Sequence, residues 1–177
     1  MKNRVSNTRQ KEIDQELDRL LLAIGKSYPE NSLSDIVQAA IPGVRLHEDD
    51  FQDDSTIRGM IFQQSEEFSE PMIVIQKHLS AEAKTYALAH EFGHYVLNHA
   101  GPQNYYVDQM KFDGSAEMQK EAEAQYFAAS LLMPKEKFTG LEPYLNEYDL
   151  AKRFGVSVSA VRVRKDWLHP SGNPSTA

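Results

Sequence analysis

At 177 residues, with 41% hydrophobic and 25% charged side chains, the chain is long enough for one soluble domain with a proper core, or one domain plus a small appendage. A net charge of −7 argues against a general nucleic-acid coat, and the absence of cysteine excludes disulfides, thiolate zinc sites and cysteine nucleophiles. Histidines and carboxylates are left as the strong metal ligands, and with no apolar run near the ~20 residues of a membrane span and no visible uncleaved signal peptide, a cytoplasmic location is the expectation.

Residues 1–7 are polar. Thr8 is placed to cap a helix running to Ile24, with Ile13, Leu17, Leu20, Leu21 and Ile24 at helical spacing and Gly25 to end it. Ser32 or Ser34 starts a second, short helix through Ala40, closed by Pro42-Gly43, and Val44 to His47 alternates like a strand. Thr56 to Phe62 and Met72 to Ile75 read as two more strands, joined by the polar stretch from Gln63 to Pro71. Two readings of the second strand carry equal weight. Either it lies along a cleft and holds an extended peptide by backbone pairing, or it completes the sheet.

Ser80 then offers an N-cap to a proline-free helix over Ala81–Leu97, apolar on several sides and therefore buried. This helix carries His90-Glu91-Phe92-Gly93-His94, an H-E-x-x-H motif. Residues four apart share a helix face, so two imidazoles at that spacing can converge on one ion. Glu91 falls beside such an ion rather than on it, where a carboxylate can take a proton from attacking water and pass it to a leaving amine. Gly93 costs roughly 1 kcal/mol against alanine inside a helix, which suggests that a second backbone approaches there. The alternative reading is two core histidines on a buried helix, so the motif needs a third ligand.

Residues 100–114 read as a loop bordering the cleft, with Asp108 and Asp113 as reserve ligand candidates, although solvated loop acids are the far more common case. A helix over Ala116–Met133 follows, opened by Ser115 and stopped by Pro134. Glu121, Ala124, Gln125 and Ala128 share one of its faces, and the alanines allow close packing on the metal helix. Glu123 aligns instead with Phe127 and Leu131. The face argument therefore favours Glu121 as third ligand, with Glu123 the alternative. Gln125, a turn beyond Glu121, would then hydrogen-bond the far nitrogen of a ligand histidine. His99, five positions past His94, reads as structural or solvent-facing rather than as a ligand.

Residues 135–149 read as a connector with aromatic anchors Phe138, Tyr144 and Tyr148. Leu150 to Val161 has the grammar of helix, glycine turn and capped helix, and Lys152, Arg153, Arg162, Arg164 and Lys165 make it locally basic. Such a pair reads DNA in some proteins and serves as a packing element in others; packing is the favoured reading here. The Pro/Ser/Gly-rich stretch from His169 to Ala177 is expected to be a disordered tail.

Taken together, Ala89-His90-Glu91-Phe92-Gly93-His94 and the run Glu121-Ala122-Glu123-Ala124-Gln125-Tyr126-Phe127-Ala128-Ala129-Ser130-Leu131-Leu132-Met133-Pro134 resemble the ImmA/IrrE family of zinc metallopeptidases. The family's second motif looks like E-x-E/Q-A-N/D-x-F-A followed by L-L-M-P. The chain departs from the family at Gln125, where Asn or Asp is preferred, and at Lys84, where relatives often carry arginine. The resemblance implies an α+β fold: a zincin-like metallopeptidase domain with a small, mostly antiparallel sheet packed on helices. The corresponding division is an N-terminal helix in 1–30, the peptidase domain in 31–149, a helix-turn-helix-like segment in 150–168 packed on it, and the tail at 169–177.

It further implies Zn2+ held by His90, His94 and Glu121, with Glu91 as catalytic base and the fourth metal position open to water. The oxyanion helper stays open among Tyr95, Tyr105, Tyr106 and His99. Family members cleave or otherwise inactivate a helix-turn-helix repressor or antitoxin-like regulator, so an endopeptidase acting on such a partner is the leading expectation. The alternative is a zinc-containing regulatory or sensor protein that sequesters a repressor without cleaving it, and the intact Glu91 favours the enzyme. A DNA-binding regulator working through residues 150–166 is a third reading, while direct DNA contact and membrane association are not expected.

Overall fold

The computed structural model describes residues 5–51, 57–64, 66, 69–99, 105–109 and 115–170. In chain order the elements are α1 (Asn7–Ile24), α2 (Leu33–Ala40), β1 (Arg45–Asp49), β2 (Ile57–Phe62), β3 (Met72–Gln76), α3 (Ala81–Val96), β4 (Tyr105–Gln109), α4 (Ser115–Leu132), α5 (Lys135–Leu141), α6 (Glu147–Phe154) and α7 (Val158–Leu168). The expected α+β class is the observed one.

Serine caps set several helix starts. The side chains of Ser6, Ser32, Ser80 and Ser157 each accept a backbone N–H three residues on, satisfying a donor that the first turn leaves open. The cap of α1 is thus Ser6, and Thr8 lies inside the helix. Gly25 and Gly155 end α1 and α6 in the left-handed conformation, at φ of 64° and 63°, where a side chain would be strained.

The four strands form one mixed sheet in the order β1-β3-β2-β4. β1 runs parallel to β3, while β2 is antiparallel to both β3 and β4. β3 is therefore interior, with both backbone edges paired, and of the two readings of that strand the sheet-completing one describes it. The stretch taken as a loop over 100–114 contains β4, and the connector over 135–149 contains α5 and the start of α6. Residues 171–177, most of the expected tail, lie outside the described residues.

Ile61 and Ile73 are fully buried in the sheet, which packs on α3 through β2 and β3. α4 is the central helix and touches α3, α1 and α7. From Ala124 to Met133 every residue except Gln125 is buried. Phe92 of α3 and Phe127 of α4 meet edge to face with ring centroids 5.6 Å apart. Two further contacts tie α4 to α1, since Asp14 accepts from the Tyr126 hydroxyl at 2.9 Å and from Ser130 at 3.3 Å.

The C-terminal pair has the expected shape, with α6 and α7 flanking Gly155, and it is fastened to α4. Arg164 is 2% exposed and donates to the Met133 carbonyl at 3.0 Å and the Ser130 hydroxyl at 2.9 Å. Arg162 donates to Glu147 at 2.7 Å, and Lys165 lies within 4 Å of Glu142 and Glu147. Three of the five basic residues in this segment are thereby turned toward protein partners. Among the described residues, no helix is long and apolar enough to cross a membrane.

At Gly93, α3 meets α4 in close contact. A β-carbon built there would sit 3.0 Å from Cδ1 of Phe127 and 3.3 Å from the Ala124 carbonyl oxygen. Neither neighbour can yield cheaply, because Ala124 and Phe127 are fully buried. Gly93→Ala should therefore lower the unfolding free energy by about 1–3 kcal/mol despite its better helix propensity, read as a lower urea midpoint with unchanged slope.

Candidate metal centre

α3 carries His90 and His94 on one face, four residues apart, and α4 brings Glu121 to them. His90, His94 and Glu121 are grouped so that one ligand atom from each lies within 4.8 Å of the others. The two Nε2 atoms are 3.0 Å apart. Glu121 Oε2 lies 3.2 Å from Nε2 of His90, and its Oε1 lies 3.3 Å from Nε2 of His94. A tetrahedral ion with metal–nitrogen bonds of 2.0–2.1 Å would separate its ligand atoms by about 3.3 Å, so the spacing suits such an ion. Two imidazole nitrogens and one carboxylate are also the donor set that zinc and its neighbours in the series accept.

Protonation favours ligation. Burial pushes the His94 imidazole down to about 3, which keeps it neutral. Burial alone would raise the Glu121 carboxyl, but the side-chain contacts to His90 and His94 outweigh it and hold that group well below the usual carboxylate range. At neutral pH the site thus presents a neutral ring at His94 and an ionised carboxylate at Glu121, the forms that bind a metal.

Glu91 is fully buried on the same helix and lies against Gly59 of β2. A β-carbon at Gly59 would fall 2.6 Å from Oε1 of Glu91 and 2.8 Å from its Cγ, so the missing side chain of Gly59 is the space that the glutamate fills. Sequence reasoning passed over Gly59. A glycine inside a run that otherwise reads as a strand was the signal that something approaches closely there.

Glu123, the alternative third ligand, is placed elsewhere. It accepts from the Arg9 guanidinium at 3.0 and 2.8 Å and from Gln119 at 2.9 Å, and its Oε2 is 3.5 Å from Nε2 of His99. Burial would raise the Glu123 carboxyl, and the Arg9 contact brings it below its ordinary value. Gln125 does not reach a histidine as expected. Its side chain is exposed, and its carbonyl accepts from the Tyr86 hydroxyl at 3.3 Å.

The residue behind His94 is His99, which is 6% exposed and has its Nδ1 2.9 Å from Nδ1 of His94. A turn brings it there. Asn98 adopts the left-handed conformation at φ 55°, and the His99 amide donates to the His94 carbonyl at 2.9 Å, folding the chain back over the end of α3. Of the other candidates, Tyr95 packs against the core, and Lys84 makes a 2.6 Å ion pair with Glu48 that ties α3 to β1. The side chains of Tyr105, Tyr106 and Asp108 lie outside the described part of the molecule, as does Asp113.

Comparisons with known proteins agree with this arrangement. A family model described as the IrrE N-terminal-like domain of peptidase family M78 matches residues 39–165. One solved structure, titled "Mycobacterium tuberculosis transcriptional regulator", superposes with a TM-score of 0.60 at 16% sequence identity. The match covers 98% of this chain and 50% of that one, so the present chain spans half the length of its neighbour. At that identity the likeness concerns the fold. No curated protein matched the sequence.

The shifted His94 sets a pH dependence for the metal-free protein. The unfolded ring takes up a proton near 6.5 and the folded ring only near 3, so between those values acid favours the unfolded chain. Glu121 acts in the same direction, because its low folded value gives stability above the unfolded value of 4.5 that is lost in acid. Thermal midpoints measured in the presence of chelator should fall steadily as pH drops below 6.5, and His94→Gln should flatten that slope.

Proposed function

The chain belongs to peptidase family M78 through its IrrE N-terminal-like domain, and on that footing we propose that it is a zinc-dependent endopeptidase acting on a protein substrate. The carrying observation is the convergence of His90, His94 and Glu121 on one point, with Glu91 on the same helix as the histidines. The proposed substrate is a helix-turn-helix repressor or an antitoxin-like regulator. That part rests on the likeness of the two sequence motifs to the ImmA/IrrE proteins, and the regulator title of the structural neighbour is in keeping with it.

Bound at this centre, zinc would supply a Lewis acid that polarises the scissile carbonyl and lowers the pKa of water. His90, His94 and Glu121 would hold the ion, and the packing around these side chains fixes where they stand. Glu91 is the general base: its carboxylate takes the proton of the attacking water and delivers it to the nitrogen of the leaving amine. Gly59 gives that carboxylate its slot, so the backbone of β2 decides where the base stands. A protein that only sequestered a partner would have no use for a base at that place, which favours cleavage over simple binding.

Metal analysis at matched folding tests the site. Wild type should purify with, or take up, close to one zinc per chain, and Glu121→Ala should lose most of it. Unchanged zinc in the mutant would transfer the ligand role elsewhere. Cleavage of a co-expressed candidate repressor should disappear in Glu91→Gln while zinc content stays, as expected of a base that contributes about 10²–10⁴-fold. Gly59→Ala should also keep its zinc yet cleave at least tenfold more slowly, because the new methyl group displaces the carboxylate; normal cleavage would refute the slot.

A further inference from the structure

Helix α1 lies entirely outside the family-matched residues 39–165, yet one of its side chains is linked to a metal ligand through three successive polar contacts. Arg9 donates through Nε and a terminal nitrogen to Oε2 of Glu123, at 3.0 and 2.8 Å. That same Oε2 is 3.5 Å from Nε2 of His99, and Nδ1 of His99 is 2.9 Å from Nδ1 of His94. The rings of His94 and His99 stand edge to face, 5.0 Å between centroids.

The direction of the hydrogens follows from the ligand role. A ring that offers its Nε2 lone pair to a metal carries its hydrogen on Nδ1, so His94 donates and Nδ1 of His99 accepts. His99 then holds its own hydrogen on Nε2, where the Glu123 carboxylate faces it. Arg9 completes the series by fixing the carboxylate with two charge-assisted bonds.

We propose that Arg9, Glu123 and His99 are positioning residues of the metal centre, and that α1 is thereby part of its outer shell. They set the tautomer and tilt of His94 so that Nε2 meets the ion, with α1 supplying the terminal cation. The inference rests on His94 being a metal ligand, as in the function proposed above, and concerns binding of the metal rather than cleavage.

The test is zinc affinity by competition with a chromogenic chelator, on the full chain. His99→Phe keeps a ring in the space but cannot accept from His94, and should weaken zinc binding roughly 10–100-fold. His99→Gln, whose carboxamide can accept and donate, should recover most of that loss, which a purely space-filling role would not produce. Arg9→Gln, at a side chain 33% exposed and so tolerant of change, should weaken binding in the same direction by less. Imidazole nitrogen shifts in the zinc-loaded wild type should show hydrogen on Nδ1 of His94 and on Nε2 of His99. Wild-type affinity in both His99→Phe and Arg9→Gln, or the opposite tautomers, would overturn the inference while leaving the peptidase reading intact. A wild-type chain that binds no zinc would overturn both.

Discussion

The close approach of α3 and α4 at Gly93 is the constraint on which the site depends. Helices packed through ordinary side chains lie 8–10 Å apart, and a glutamate on one must then stretch to meet ligands on the other. Here a glycine faces the Ala124 carbonyl and the Phe127 ring, and Ala124 itself is small and fully buried. Glu121 can then set both carboxylate oxygens within 3.2 and 3.3 Å of the two imidazoles. The same packing that draws the helices together excludes water from the histidines, so the ligand geometry and the neutral His94 ring have one cause.

Burial makes the acids of this region expensive. Glu91 and Glu123 are buried and Glu121 nearly so, all within or beside a hydrophobic core. An uncompensated carboxylate in such surroundings costs several kcal/mol. Glu123 is answered by the Arg9 guanidinium and Glu121 by contacts to two imidazoles, while Gly59 leaves Glu91 the space that it fills. These compensations come from α1 and α3, so both helices are coupled to the centre by polar contacts as well as by apolar ones.

How much of this was legible depends on whether a regular period governed each residue. His90, His94 and Glu121 lie well inside helices, where spacing fixes the face, and they come together as that spacing implies. Gln125 lies one turn past Glu121, but a turn of four residues overshoots by about 40°, and on α4 that rotation carries it from the buried side to solvent. His99 follows the end of α3, where the helical period no longer applies. Its direction comes from the left-handed Asn98, which propensity alone does not assign. β4 escaped notice because five residues with two acid or amide side chains, set among glycine, proline and aspartate, look like a loop until β2 supplies the partner. Nothing local to Arg9 marks it, since its partner is 114 residues away.

That separation has a kinetic consequence. Contacts within α3, and between α3 and α4, join segments near in sequence and carry a modest loop-closure cost. The ion pair of Arg9 with Glu123 closes a loop spanning nearly two-thirds of the chain. During synthesis α1 leaves the ribosome first and must wait for α4, which at 5–20 residues per second takes roughly 6–23 seconds. The motif helix thus exists as an unfinished half-site before its counterpart has been made. Metal captured before α4 is made would have only the two histidines to hold it, so the three-residue centre is complete only once α4 docks on α3.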